Sequence, residues 1–228
     1  METNPKRMDK ISKNKFKDIY PLIASQIIKR CGINEGTCID IGSGSGALAI
    51  AISKATDLNI YSLDISAPMN EIAKKNILKE RLHHRIFPVN GDAHKLPFSN
   101  DFAELIISRG SIFFWKNKET CFKEIYRVLK PDGWAYIGGG FGSRCLKNKI
   151  NQSANNDKAD NINIPRINIK EIKSILNQAS IENYQIITDN SGLWILFKKD
   201  KKRRGDFYGR YTKQGKRPWN QERFRKNH

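Results

Sequence analysis

Acidic residues are scarce in this 228-residue chain: 23 Asp and Glu stand against 41 Lys and Arg, for a formal net charge of +18. No stretch of ~18 consecutive apolar residues occurs, which excludes a spanning helix of ordinary length. The four cysteines, Cys31, Cys38, Cys121 and Cys145, form no C-x-x-C pair, so a zinc ribbon or dithiol redox centre is not expected. His83, His84 and His94 have no matching ligand set around them, and no metal site is expected. Met1 to Lys17 is polar and lysine-rich rather than apolar. It does not read as a secretory leader, and a cytoplasmic location is expected.

The positive charge is unevenly spread. Residues 201–228 hold 11 Lys or Arg and 2 acidic residues, a net +9, interleaved with Phe207, Tyr208, Tyr211, Trp219 and Phe224. Two readings of this tail stay open. It could contact phosphates and stack on bases of a nucleic acid or another polyanion, or it could be a disordered, solubilising segment with too few aliphatic residues for a core.

The hydrophobic periodicity of the body alternates. Residues 16–30 carry Phe16, Ile19, Tyr20, Ile23 and Ile27 at helical spacing, which predicts an N-terminal helix. Strands are predicted around Cys38–Ile41, Asn59–Leu63, Arg85–Asn90, Glu104–Ser108 and Trp134–Ile137, separated by helices over Ala47–Lys54, Pro68–Glu80 and Lys116–Leu129. Residues 144–165, rich in Asn, Lys and Ser, read as an exposed loop or lid. A further helix is predicted over Ile169–Ala179. Two last strands flank the turn-forming Asp189-Asn190-Ser191-Gly192, which suits an antiparallel hairpin. The class is α/β: a Rossmann-like, seven-stranded, mostly parallel sheet with helices on both faces and a C-terminal antiparallel hairpin. Residues 1–200 read as one domain, with 201–228 as an appendage.

In such a sheet, ligands bind at the carboxyl ends of the strands. The run Asp40-Ile41-Gly42-Ser43-Gly44-Ser45-Gly46 falls at the end of the first strand, a strand–glycine turn–helix passage where backbone N–H groups can approach a ligand. Asp64 closes the next apolar run about 20 residues later, where a carboxylate can accept hydrogen bonds from ribose hydroxyls. Gly42, Gly44 and Ala47 also satisfy the G-x-G-x-x-G/A pattern of dinucleotide-binding oxidoreductases, so the glycines alone do not choose the ligand. Asp92 and Ser108 fall on the same edge. Arg109 and the aromatic Phe113-Phe114-Trp115 follow, either shaping a substrate pocket or packing beneath the next helix.

Taken together, the glycine run, Asp64, Gly91-Asp92-Ala93 ahead of Leu96-Pro97-Phe98, and Leu129-Lys130-Pro131-Asp132-Gly133-Trp134 resemble a class I S-adenosylmethionine-dependent methyltransferase. The resemblance is to the branch of the ubiquinone and menaquinone biosynthesis enzymes, over residues ~16–199. It implies S-adenosyl-L-methionine as cofactor, held by Asp40, Gly42, Ser43, Gly44 and Gly46, by Asp64 and Ile65 at the ribose, by Gly91, Asp92 and Ala93 at the adenine, and by Ser108. Asp40 is expected to face the methionine ammonium. Ala103-Glu104 departs from the Phe-Asp style of pair usual before the fourth strand. No Asn-Pro-Pro-Tyr or Asp-Pro-Pro-Tyr follows that strand, and no Pro-Cys nucleophile is present, which counts against amino- or pyrimidine-methylating nucleic-acid enzymes. The expected activity is methyl transfer to a small molecule. An RNA or ribonucleoprotein methyltransferase docked by the tail, and a non-catalytic cofactor-binding protein, are the alternatives. Tyr20, His94 and Arg109 lie nearest the site, but none is assigned as a catalytic base. The Gly138-Gly139-Gly140 run and Gly142 are expected to free the following loop to close.

Overall fold

The computed structural model describes residues 4–154, 167–189 and 192–201. Seven strands form one sheet in the order β3-β2-β1-β4-β5-β7-β6. β1 (Thr37–Ile41), β2 (Asn59–Asp64), β3 (Ile86–Asn90), β4 (Ala103–Arg109) and β5 (Leu129–Gly140) run parallel, while β7 (Gly192–Lys198) is antiparallel to both β5 and β6 (Tyr184–Asp189). The hairpin expected at the C-terminal end therefore closes the sheet. The strand order reverses beside β1, between β2 and β4, which places the crevice for a ligand at the end of β1.

Both faces of the sheet are covered, and the residue-by-residue alternation of the strands divides the core in two. Ile39 and Ile106 face one side, with Phe122, Ile125, Leu176 and Phe197. Cys38, Leu105 and Ile107 face the other, with Ile23, Ile27, Ile52 and Ile77. The first side is closed by α5 (Lys118–Val128) and α7 (Ile169–Gln178), the second by α2 (Ile19–Cys31), α3 (Ala47–Ser53) and α4 (Ala67–Lys79). Local chemistry fixes several boundaries. Ser66, Asn117 and Asn168 cap α4, α5 and α7 by accepting from backbone N–H groups of the first turn, and Gly32, at φ +67°, ends α2.

The N-terminal helix predicted over 16–30 forms as α2, and a further, unpredicted helix, α1 (Pro5–Asn14), precedes it, capped by Asn4, whose Oδ1 accepts from the Lys6 and Arg7 N–H groups. Two other expectations need correction. The loop or lid predicted at 144–165 begins as a helix, α6 (Arg144–Ala154), with Ser143 accepting from the Leu146 N–H. Leu146 and Ile150, four residues apart, pack on the α2 side of the core, and that spacing outweighs the polar composition. The rest of that segment, and the basic tail beyond Lys201, lie outside the described residues.

Gly138-Gly139-Gly140 is not a loosened loop either: it is the end of β5, paired with Leu193, Trp194 and Gly192 of β7. An added Cβ at Gly138 would come within 2.1 Å of the Leu193 carbonyl oxygen, and one at Gly139 within 2.4 Å of the Phe113 ring. These glycines are there for close approach rather than for motion.

Candidate active site

The β1–α3 loop sits over a cavity of about 100 Å³. From the loop come Gly42, Ser43, Gly44 and Ser45; from β1, Asp40; from α1 and α2, Met8, Ile11, Ser12 and Tyr20; and from the end of β4, Arg109. Four of the predicted site residues, Asp40, Gly42, Ser43 and Gly44, thus line one cavity. A wider groove of about 740 Å³ lies between α4 and the edge strand β3, lined by Ile77, Leu78, Phe87 and their neighbours. It contains none of the predicted residues.

The loop is held by its own chain. Gly42 and Ser43 both donate to the Leu63 carbonyl (2.8 and 3.0 Å), Gly46 donates to the Ser43 carbonyl, and Gly44 donates to Asp64 Oδ2 at 2.9 Å. The Ser62 hydroxyl donates to Ser43 Oγ at 2.8 Å. Each of these four N–H groups therefore already has an internal acceptor. Gly42 has φ +66°, and a Cβ there would sit 2.2 Å from the Ser111 Cβ. Its glycine is required first by the packing of the short 3-10 turn Ser111–Phe114, whose Ser111 hydroxyl also contacts the Ile41 carbonyl.

Asp40 is the electrostatic centre of the cavity. It is 1% exposed, its Oδ2 is buried without a hydrogen-bond partner, and no cationic side chain among the described residues pairs with it. Burial first, then the nearby Asp64 carboxylate, push its pKa up to about 7, although the Ala49 N–H favours the charged form. An acid in that state is a ready partner for a cation, which would supply the missing counter-charge.

Asp64, at the end of β2, accepts from the Gly44 and Ser66 N–H groups, one on each oxygen, and each oxygen keeps a further lone pair for a ligand hydroxyl. Ile65 beside it is 69% exposed, an apolar surface on the same edge. Asp92 takes both its bonds on Oδ1, from the His94 N–H and the His94 ring, which hold its carboxyl below the usual range. Its Oδ2 remains for a donor. His94 is committed on both ring nitrogens, Nε2 accepting from the Asn117 N–H and Nδ1 facing Asp92.

Seven predicted residues lie outside the cavity lining: Gly46, Asp64, Ile65 and Asp92, and three that are packed into the body of the protein. Ser108 is wholly buried, with its hydroxyl 2.6 Å from that of Ser111. Ala93 is a core residue. Gly91 sits tight against Leu63 and Pro97. The aromatic run divides: Trp115 is buried edge-on to Phe122 and Phe113 packs on the core, while Phe114 is 56% exposed.

Residues near the N-terminus complete the site. Ser12 Oγ lies 2.9 Å from the Tyr20 hydroxyl and accepts from Ser45 at 3.0 Å, and Asp9 accepts from Asn76 of α4. Of these, Tyr20 is legible from its position in the sequence. Met8, Ile11 and Ser12 are not, although Met8 and Ile11 are spaced three apart behind an Asn-Pro start, the one signal that marks them.

The chain is similar to several known proteins. Residues 39–137 match a family profile described as "Methyltransferase domain". A Methanococcus maripaludis protein of known structure, assigned to the S-adenosyl-L-methionine-dependent methyltransferases, is 44% identical; the match covers 90% of this chain and 99% of that one, with a TM-score of 0.80. The chloroplastic 2-methyl-6-phytyl-1,4-hydroquinone methyltransferase of Spinacia oleracea is 37% identical over 44% of this chain and 28% of its own length. The demethylmenaquinone methyltransferase of Lactobacillus johnsonii is 33% identical over 42% and 40% respectively. This chain spans less than half the length of these curated relatives.

Proposed function

Because the chain belongs to the class I S-adenosylmethionine-dependent methyltransferases, we propose that it transfers a methyl group from S-adenosylmethionine to a small-molecule acceptor. The observation that carries this is the buried, partnerless Oδ2 of Asp40 beneath the glycine loop. The α-ammonium of the cofactor is a cation of the size and charge that such an acid stabilises. Asp64 and Ile65 would hold the ribose, and Asp92 Oδ2 the adenine amino group. When bound, the cofactor supplies a methyl group on positively charged sulfur, an electrophile that needs no metal or redox partner.

The chain's own contribution is alignment and exclusion of water. Met8 and Ile11 of α1 cover the cavity with apolar surface, and the Tyr20–Ser12–Ser45 hydroxyl chain ties that helix to the glycine loop. The enclosed volume of about 100 Å³ is below the ~300 Å³ of a typical ligand pocket. It suits one end of the cofactor, leaving the nucleoside along the exposed edge at Ile65 and Asp92. The relatives' names, a hydroquinone and a menaquinone enzyme, support a small acceptor, and the four free thiols support a reducing, cytoplasmic setting. The net +9 of residues 201–228 supports contact with a polyanion as an accessory property.

Calorimetric titration tests the cofactor assignment. S-adenosylmethionine and S-adenosylhomocysteine should bind with Kd on the order of micromolar, and NAD should not. Asp64→Ala removes the ribose partner together with the anchors of Gly44 and Ser66 and should weaken both by at least ~30-fold, about 2 kcal/mol. Asp64→Asn, which keeps acceptor capacity, should lose less. Binding of NAD alone, or of none of the three, overturns the reading.

A further inference from the structure

In the turn after β3, one histidine serves two partners in two different elements. Asp92 Oδ1 is met twice by His94, by its N–H at 2.9 Å and by its ring Nδ1 at 2.6 Å. His94 Nε2 in turn accepts from the Asn117 N–H at 3.2 Å, at the start of α5. A ring nitrogen that accepts from an amide carries no proton, so in the neutral imidazole the proton sits on Nδ1 and is donated to Asp92. The tautomer is therefore set from α5. Asp92 Oδ2 receives no donor among the described residues, and the side chain is 46% exposed.

We infer that His94 is a positioning residue, and that through Asp92 it makes the site select a purine carrying an amino group over one carrying a carbonyl oxygen at the same ring carbon. The inference rests on the methyltransferase reading, in which Asp92 faces the adenine. With Oδ1 taken by two donors, the plane of the carboxylate is fixed before a ligand arrives and Oδ2 alone is left to accept. An ionised carboxylate accepts and cannot donate, and the His94 N–H, then its ring, keep Asp92 in that form. An adenine amino group brings a donor to Oδ2. A hypoxanthine carbonyl brings an acceptor against an acceptor, and both stay unpaired. Held by the backbone N–H alone, this half-exposed carboxylate would have to be ordered by each ligand it meets, which erodes the discrimination. A purely architectural role, tying the turn to α5, uses only Nε2, and Glu124 of α5 already supplies a second tie by accepting from the Leu96 N–H at 2.9 Å. That role does not need a proton on Nδ1 facing a carboxylate.

The test uses the full chain at neutral pH, with S-adenosylhomocysteine and its deaminated analogue S-inosylhomocysteine titrated separately into wild type, His94→Asn and His94→Gln. The two variants divide the two jobs of the ring. Asn puts an amide N–H where Nδ1 stands and nothing at Nε2, whereas Gln reaches the Nε2 position with an acceptor for Asn117 and puts no donor at Nδ1. Wild type should bind S-adenosylhomocysteine at least ~30-fold more tightly than the inosyl analogue, about 2 kcal/mol. His94→Gln should cut that preference at least ~5-fold, and His94→Asn should keep it within about twofold of wild type. A role confined to tying down α5 gives the reverse order, with both ligands weakened alike. Equal binding of the two compounds by wild type, a preference that survives His94→Gln, or one lost as fully in His94→Asn overturns the inference. Nitrogen-edited NMR of the wild-type imidazole checks it without a variant: the proton should be on Nδ1, and a neutral ring protonated on Nε2 instead overturns it. Failure of the methyltransferase reading looks different, since wild type then binds neither compound.

Discussion

Two residues of the glycine-loop region carry the clearest energetic consequences. Asp40, with its pKa pushed up to about 7, holds a proton in the folded, ligand-free protein that the unfolded chain has released above about pH 4. Folded protein then binds more protons than unfolded between those values, so stability falls as pH rises from about 4 to about 7, by at most about 4 kcal/mol, and levels off above. Thermal melts of wild type should show that decline and those of Asp40→Asn should lack it. The same substitution should make the empty protein more stable at pH 8 and weaken S-adenosylhomocysteine at least ~10-fold, because the counter-charge for its ammonium is gone. At Gly42 the limit is steric: the 2.2 Å approach to Ser111 and φ +66° predict that Gly42→Ala costs about 3 kcal/mol or more in chemical denaturation. Adding Ser111→Gly removes the clash but not the left-handed backbone, so the double variant should recover the part of the Gly42→Ala loss that the clash causes and keep about 1 kcal/mol from the backbone.

Among the elements, those with a strong period and a tight turn are readable in the sequence, and those whose burial depends on a distant partner are not. β1, β2 and β4 are continuous apolar runs flanked by turn residues, and Asp40, Gly42 and Asp64 fall at their ends, so the parallel sheet and the core of the site are legible. α1 is not, because only Met8 and Ile11 of its ten residues are strongly apolar and their partners, the glycine loop and α4, are far away in sequence. α6 is hidden by its Asn and Lys content for the same reason. Asp92 follows a strand end as its position implies, but its bonds to His94 depend on a local turn that spacing does not specify. The outer position of α1 has a dynamic consequence. It is held by a few hydroxyl and amide contacts and little apolar area, whereas α2 is embedded through Ile19, Ile23 and Ile27. Amide hydrogen exchange should therefore be at least ~10-fold faster in α1 than in α2 for the free protein, and S-adenosylhomocysteine should slow α1 selectively. Equal protection of both helices in the free protein would mean that α1 is a fixed wall and that ligands enter along the Ile65 edge instead.

For the whole molecule, the question is how a strongly basic chain divides its charge between a cofactor cavity and the rest. The described site draws on α1, α2, α3, α4, the ends of β1, β2 and β4, and the turn after β3, and no residue beyond Arg109 lines its cavity. The last described residues serve the opposite end of the sheet: Lys199 Nζ reaches Asp101, Arg127 and Leu129, and Lys198 and Lys201 both pair with Asp132. Ending the chain after Lys201 keeps these interactions and removes ten cations and two acids, since residues 201–228 carry 11 and 2 and Lys201 remains. Two outcomes follow from that separation. S-adenosylhomocysteine affinity should stay within about twofold, because no described cavity residue is removed. Binding to a single-stranded RNA of ~20 nucleotides should weaken, and its dependence on salt should flatten by ~0.7 in log K per log salt for each phosphate that the tail no longer neutralises. If the truncated chain bound RNA as tightly and with the same salt slope, the +9 spread over residues 1–200 would be the polyanion surface, and the tail's cations would serve solubility alone.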